Sequence, residues 1–107
     1  MTLPPPILAY FDADERNDRA ALIKAFAPDA VVTDEGRSHV GRDAIGAWWS
    51  AAKATYQNTT EPLEMTERGD VTEILARVAG QFPGSPVTLT FAFRVGDDRI
   101  TGLEITA

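Results

Sequence analysis

Cysteine is absent from the 107-residue sequence, and histidine occurs once. The first absence removes disulfides, thiol nucleophiles and cysteine metal sites. The second leaves a zinc site, which needs several His or Cys ligands, without its donors. No cofactor and no metal are therefore expected. Positive charge is scarce too: ten Lys and Arg stand against sixteen Asp and Glu, a net charge of −6, and no basic run occurs. Nucleic acid and anionic membranes both need a positive surface, so neither is an expected partner. No window approaches the roughly 20 apolar residues that span a bilayer. The opening MTLPPPILAYFDADE has no charged n-region, and its apolar stretch breaks at Asp12, unlike a secretory signal. A cytoplasmic protein is expected.

What is present belongs to a folded chain. With 44% hydrophobic and 24% charged residues, the composition is that of a soluble globular protein. The length suits a single domain over residues 1–107 with a core of its own.

Helical signals occupy the first half. Pro4 to Pro6 can open a helix, since a missing N–H costs nothing in the first turn. Ile7, Leu8 and Phe11 then share a face, with Tyr10 beside them. Asn17 and Asp18 are N-cap candidates for RAALIKAF, whose stripe is Ala21, Leu22, Ala25 and Phe26. Pro28 stops that helix. AVVTDEG reads as a strand running into a turn. VGRDAIGAWWSAAKATY is a third helix, with Ile45, Trp48, Trp49, Ala52 and Tyr56 on one face, a stripe that ordinarily means core.

After Asn58 the period changes to two. TTEPLEMTERG is a strand in which Pro62 favours an edge or a bulge. VTEILARVAGQF is another, ended by the PGSP turn. VTLTFAFRV alternates most clearly: Val87, Leu89, Phe91, Phe93 and Val95 take one face, Thr88, Thr90, Ala92 and Arg94 the other. A last strand, RITGLEIT, follows GDD. Helices followed by an antiparallel meander make an α+β fold, with the helices covering the apolar side of a curved sheet. The Thr-rich opposite face suits a subunit interface, so a homodimer is expected.

The stretch DEGRSHVGRDA carries three acids, two arginines and the single histidine. Gly36-Arg37 is a Gly-X pair of the kind that closes two-residue hairpins. A hairpin centred there sets Asp34 opposite His39, about 5 Å apart at Cβ and within reach of a carboxylate–imidazole hydrogen bond. An enclosed pair of that kind moves protons; an exposed one is a minor surface contact. A one-residue slip would separate the two side chains. Arg37, Arg42 and Asp43 read as structural, with Asp43 at the positive end of a helix.

Taken together, YFDADERNDRAALIKAFAPDAVVTDEG, GRDAIGAWW and the PGSPVTLTFAF…RITGLEI meander resemble the SnoaL-like and ketosteroid isomerase-like proteins of the nuclear transport factor 2-like superfamily. The resemblance covers nearly the whole chain, and its most specific parts are FAPDAVVTD and GRDAI. It implies a conical α+β fold: three N-terminal helices packed on a strongly curved, mostly antiparallel sheet enclosing an apolar pocket, often in a dimer. It places Asp34 at the general-base position of the isomerases and Tyr10 at their oxyanion-hole tyrosine. Phe91 stands where they carry a protonated aspartate, and an apolar ring cannot donate a hydrogen bond to a developing enolate. His39 offers another partner: in SnoaL-like enzymes an acid–base pair works without metal or cofactor beside a carbonyl. Trp48, Trp49, Phe82, Phe91 and Phe93 are candidates for a wall that suits a flat hydrophobic small molecule.

Two classes stay open. One is a cofactor-free isomerase, cyclase or hydratase/lyase acting on a hydrophobic carbonyl compound through Asp34, His39 and Tyr10. The other is a ligand-binding or dimerisation domain of the same fold without chemistry, since fold alone does not settle function.

Overall fold

Proline at the first helical turn and a carboxylate at an N-cap set the start of the chain's architecture. In the computed structural model, which describes residues 1–107, α1 (Pro5–Glu15) begins with proline in its first turn. Asp18 then caps α2 (Arg19–Lys24) by accepting from the Ala21 N–H at 3.1 Å. α2 is shorter than its apolar stripe suggested, because Phe26 belongs to the next strand. On α1 the buried side runs Ile7, Tyr10, Phe11, Asp14, and Leu8 turns to solvent at 55% exposure. Positions i, i+3, i+4 and i+7 define that face, and Leu8 lies one step around it.

The remaining elements are β1 (Phe26–Asp34), β2 (Arg37–Val40), α3 (Arg42–Tyr56), β3 (Thr59–Arg68), β4 (Val71–Ala79), β5 (Val87–Gly96) and β6 (Arg99–Thr106). The strands form one mixed sheet in the order β2-β1-β6-β5-β4-β3. All neighbours run antiparallel except β1 and β6, which pair in parallel. Pro62 sits on the edge strand β3, at a register shift between Pro62 and Glu64, where a missing N–H is tolerated.

A second shift, between Arg94 and Val95, leaves Thr101 as an extra residue on β6, so Ile100 and Leu103, three positions apart, are both buried. Phe91 and Phe93 are buried, whereas Val95 is 39% exposed rather than continuing their row, because β4 pairs with β5 only as far as Arg94 and Val95 lies beyond it. Glu104 pairs with Ala92 and is exposed on the outer face, while Leu103 and Ile105 turn inward.

The core lies between α1, α3 and the sheet's inner face. Tyr10, Phe11, Phe26, Phe91 and Phe93 meet there with ring centroids 5.2 to 6.4 Å apart, mostly edge-to-face or tilted, as aromatic quadrupoles favour. Arg42, first residue of α3, donates two hydrogen bonds to the Phe26 carbonyl at 3.0 and 2.8 Å. It thereby ties the helix start to β1, the structural role expected of it. No helix is long and apolar enough to cross a membrane.

Candidate functional site

A cavity of about 330 Å³ opens between the two long helices and the sheet. Its walls follow from the periodicities above. α3 turns Trp48, Trp49, Ala52, Lys53 and Tyr56 toward it, α1 contributes Tyr10 and Asp14, and the inward-facing positions Val87, Leu89 and Phe91 of β5 line another side. Phe82, from the loop after β4, and Ile105 of β6 complete the apolar part. Such a lining, mostly apolar with a few polar groups, is typical of sites for small hydrophobic molecules. Four of the five residues expected in the wall are there: Trp48, Trp49, Phe82 and Phe91. Phe93 is fully buried in the core and does not line the cavity.

Asp34, the last residue of β1, reaches the cavity, and its Oδ2 accepts from the Trp48 indole N–H at 3.0 Å. Tyr10 is 3% exposed. Its hydroxyl pKa is pushed well above the ordinary tyrosine value, first by burial, then by the charges of Asp14 and Asp34. At neutral pH it is therefore a hydrogen-bond donor, with both carboxylates near enough to act on it.

His39 is placed differently from the expected hairpin. The turn is Glu35-Gly36, so Asp34 pairs with Arg37 and Val32 with His39. Glu35 and Gly36 both have positive φ, 53° and 74°, the signature of a type I′ hairpin with glycine at the second central position. The expected centre at Gly36-Arg37 is one residue too far along. Asp34 and His39 still share a face, but as diagonal rather than direct neighbours. The carboxylate is held by Trp48 instead, and the His39 ring lies against the same Trp48, centroids 6.1 Å apart. His39 does not line the cavity.

Sequence reasoning overlooked a second polar group. Asp14 is buried at 4% exposure; its Oδ1 accepts from the Trp49 indole N–H at 2.8 Å and meets Lys53 Nζ at 3.0 Å. Lys53 also donates to the Asn58 backbone carbonyl at 2.6 Å and lies over the Trp49 ring. The signal was available: Asp14 follows Tyr10 by four residues, and Lys53 follows Trp49 by four. An acid and a base on two apolar stripes are costly to bury unless they meet. No group of three His, Cys, Asp or Glu side chains is gathered as a metal site.

Residues 7–103 match the SnoaL-like domain family. No curated protein matches the sequence. Among solved structures, a candidate polyketide cyclase from Sinorhizobium meliloti is 54% identical, with a TM-score of 0.94, over 97% of this chain and 95% of that one. A Catenulispora acidiphila protein of ketosteroid isomerase-like fold, in complex with trimethylamine, is 23% identical with a TM-score of 0.84, over 99% and 87% of the two chains. A Mycobacterium tuberculosis protein in complex with estradiol-17beta-hemisuccinate is 19% identical with a TM-score of 0.80, over 97% and 93%. These last two share the fold.

Proposed function

The chain belongs to the SnoaL-like domain family, and from that premise we propose that its cavity carries out cofactor-free acid–base chemistry on a hydrophobic carbonyl compound. The observation that carries this reading is the meeting of Asp34 and Tyr10 at one largely apolar cavity. Trp48 holds one oxygen of the Asp34 carboxylate, which leaves Oδ1 to take a proton from the carbon next to a carbonyl. The Tyr10 hydroxyl, kept protonated by burial, donates to the carbonyl oxygen as it becomes an enolate oxygen. In an isomerisation the proton then returns from Asp34 to another carbon of the enolate; in a cyclisation the enolate carbon instead bonds to a second carbonyl carbon of the same molecule, whose C=O π pair moves to oxygen and takes the proton from Asp34. His39 is a positioning residue in this reading, steadying the indole that orients Asp34. The likeness to the Sinorhizobium protein, a candidate polyketide cyclase, supports a ring-forming reaction.

A single cavity lined from α1, α3 and five of the strands supports the conical, curved-sheet form that the family resemblance implies. Two copies pair through the outer face of the sheet in the same reading.

Phe91 favours a second reading, binding without turnover, because it places an apolar ring in the wall where the isomerases carry a second proton donor. One experiment separates the two: hydrogen–deuterium exchange at the α-carbon of 1-tetralone in D2O, followed by NMR, with affinity measured in parallel. Catalysis predicts accelerated exchange that drops about a hundredfold or more in Asp34→Asn with binding retained. Binding with no acceleration above buffer leaves the second reading.

A further inference from the structure

Beside the apolar cavity lies a second one, of about 260 Å³, whose lining contains no hydrophobic residue. Asp14, Lys53 and Asn58 line both, so this cluster is the wall between them. Two of its acceptors have no hydrogen-bond partner within the chain: Asp14 Oδ2 and Asn58 Oδ1, both buried. The other Asp14 oxygen is fully engaged, by Trp49 and Lys53. Lys53 in turn has met Asp14 and the Asn58 carbonyl, which leaves one of its three ammonium protons. Buried acceptors are nearly always paired, because their desolvation is otherwise uncompensated. Two unpaired acceptors and a spare donor at one place in a cavity wall match a group that both donates and accepts.

We propose that Asp14, Lys53 and Asn58 form a second recognition point, which takes a hydroxyl group carried by the flat apolar ligand of the main cavity. The hydroxyl donates to Asp14 Oδ2 or Asn58 Oδ1 and accepts from Lys53. Apolar walls hold the body of the ligand, Asp34 and Tyr10 address its carbonyl end, and this cluster selects hydroxylated skeletons over their ether or deoxy counterparts. The inference rests on the main cavity being a ligand site, but not on any turnover there.

Its test compares 2-naphthol with 2-methoxynaphthalene, which has the same rings and oxygen without the proton. Affinities are measured by calorimetry for the wild-type chain, Asp14→Asn, Asn58→Ala and Asp34→Asn. The wild-type chain is expected to prefer 2-naphthol by about tenfold or more, the usual effect of a hydrogen bond to a charged acceptor. Asp14→Asn turns an acceptor into a donor at the same size and should abolish or reverse the preference. Asn58→Ala, which keeps the carboxylate, should reduce it by about threefold. Asp34→Asn should leave it intact. Equal wild-type affinity for the two probes would overturn the recognition point while the cavity reading stood. A preference lost in Asp34→Asn and kept in Asp14→Asn would assign the hydroxyl to Asp34 and overturn the inference as well. Failure of both probes to bind would overturn both readings together.

Discussion

A tyrosine hydroxyl taken out of bulk solvent and set near two carboxylates resists ionisation, and Tyr10 is in that position. Its raised pKa is also a statement about stability. Between the ordinary tyrosine value near 10 and the higher folded value, the unfolded chain loses a proton that the folded chain keeps. Stability from this group is therefore complete below pH 10 and lost as pH climbs from there toward the folded pKa. Thermal melts across the alkaline range should show the decline, and Tyr10→Phe should lessen its slope while leaving the neutral-pH profile parallel to wild type. A variant with the same alkaline slope would show that the hydroxyl is not held in its protonated form. The place of Tyr10 and Asp34 at the cavity was legible before the fold: the family resemblance points to both, and the hairpin pattern to Asp34 as well. Asp14 and Lys53 were not, since each looks like an ordinary surface charge until two helices bring them together at 3.0 Å.

At the scale of elements, α3 and the end of β4 show how closely backbones approach behind the cavity. A Cβ on Gly80 would lie 2.6 Å from the Tyr56 carbonyl oxygen, a backbone atom that also accepts from the Gln81 N–H. Gly80→Ala must move the end of α3 and should cost on the order of 2 kcal/mol. On α3 itself, a Cβ on Gly46 would meet Arg19 Nη2 at 2.7 Å, but that is the tip of a flexible, exposed side chain that can swing away. Gly46→Ala should raise stability by about 0.5 kcal/mol through helix propensity. Denaturant titrations of the two variants check the contrast, and equal losses would mean that Arg19 is fixed in place. Periodicity read these elements well because each buries one face, and Pro62 announced an edge. Hairpin register was less legible: a lone glycine fits the second central position of a type I′ loop or the first of a type II′ loop, and the two place the turn one residue apart. Glu35 adopts a positive φ that few non-glycine residues favour. That choice shifted the turn by one residue and took His39 away from its expected carboxylate partner.

For the whole molecule, the parallel pairing of β1 with β6 is what joins the helical half to the meander. It connects residues some seventy positions apart (Val32 with Leu103), and no local pattern encodes such a contact; the family resemblance alone implied a closed arrangement. The consequence is a sheet with its inner face committed to core and cavity and its outer face open along β5 and β6, where Thr88, Arg94, Glu104 and Thr106 are exposed. Ala92 sits midway across that face, opposite Glu73 on one side and Glu104 on the other. A small residue between two carboxylates leaves room for a second sheet to approach, provided the charges find partners such as Arg77 or Arg94 of the other copy. Sedimentation should then give twice the 11.6 kDa chain mass. Ala92→Glu would set three carboxylates in a row across neighbouring strands, and like charges directly opposed repel. That variant should sediment as a monomer with an unchanged circular dichroism spectrum, since its side chain points away from the core. A wild-type mass of a single chain would remove the outer face as an interface, and the chemistry would then rest on residues of one protomer alone.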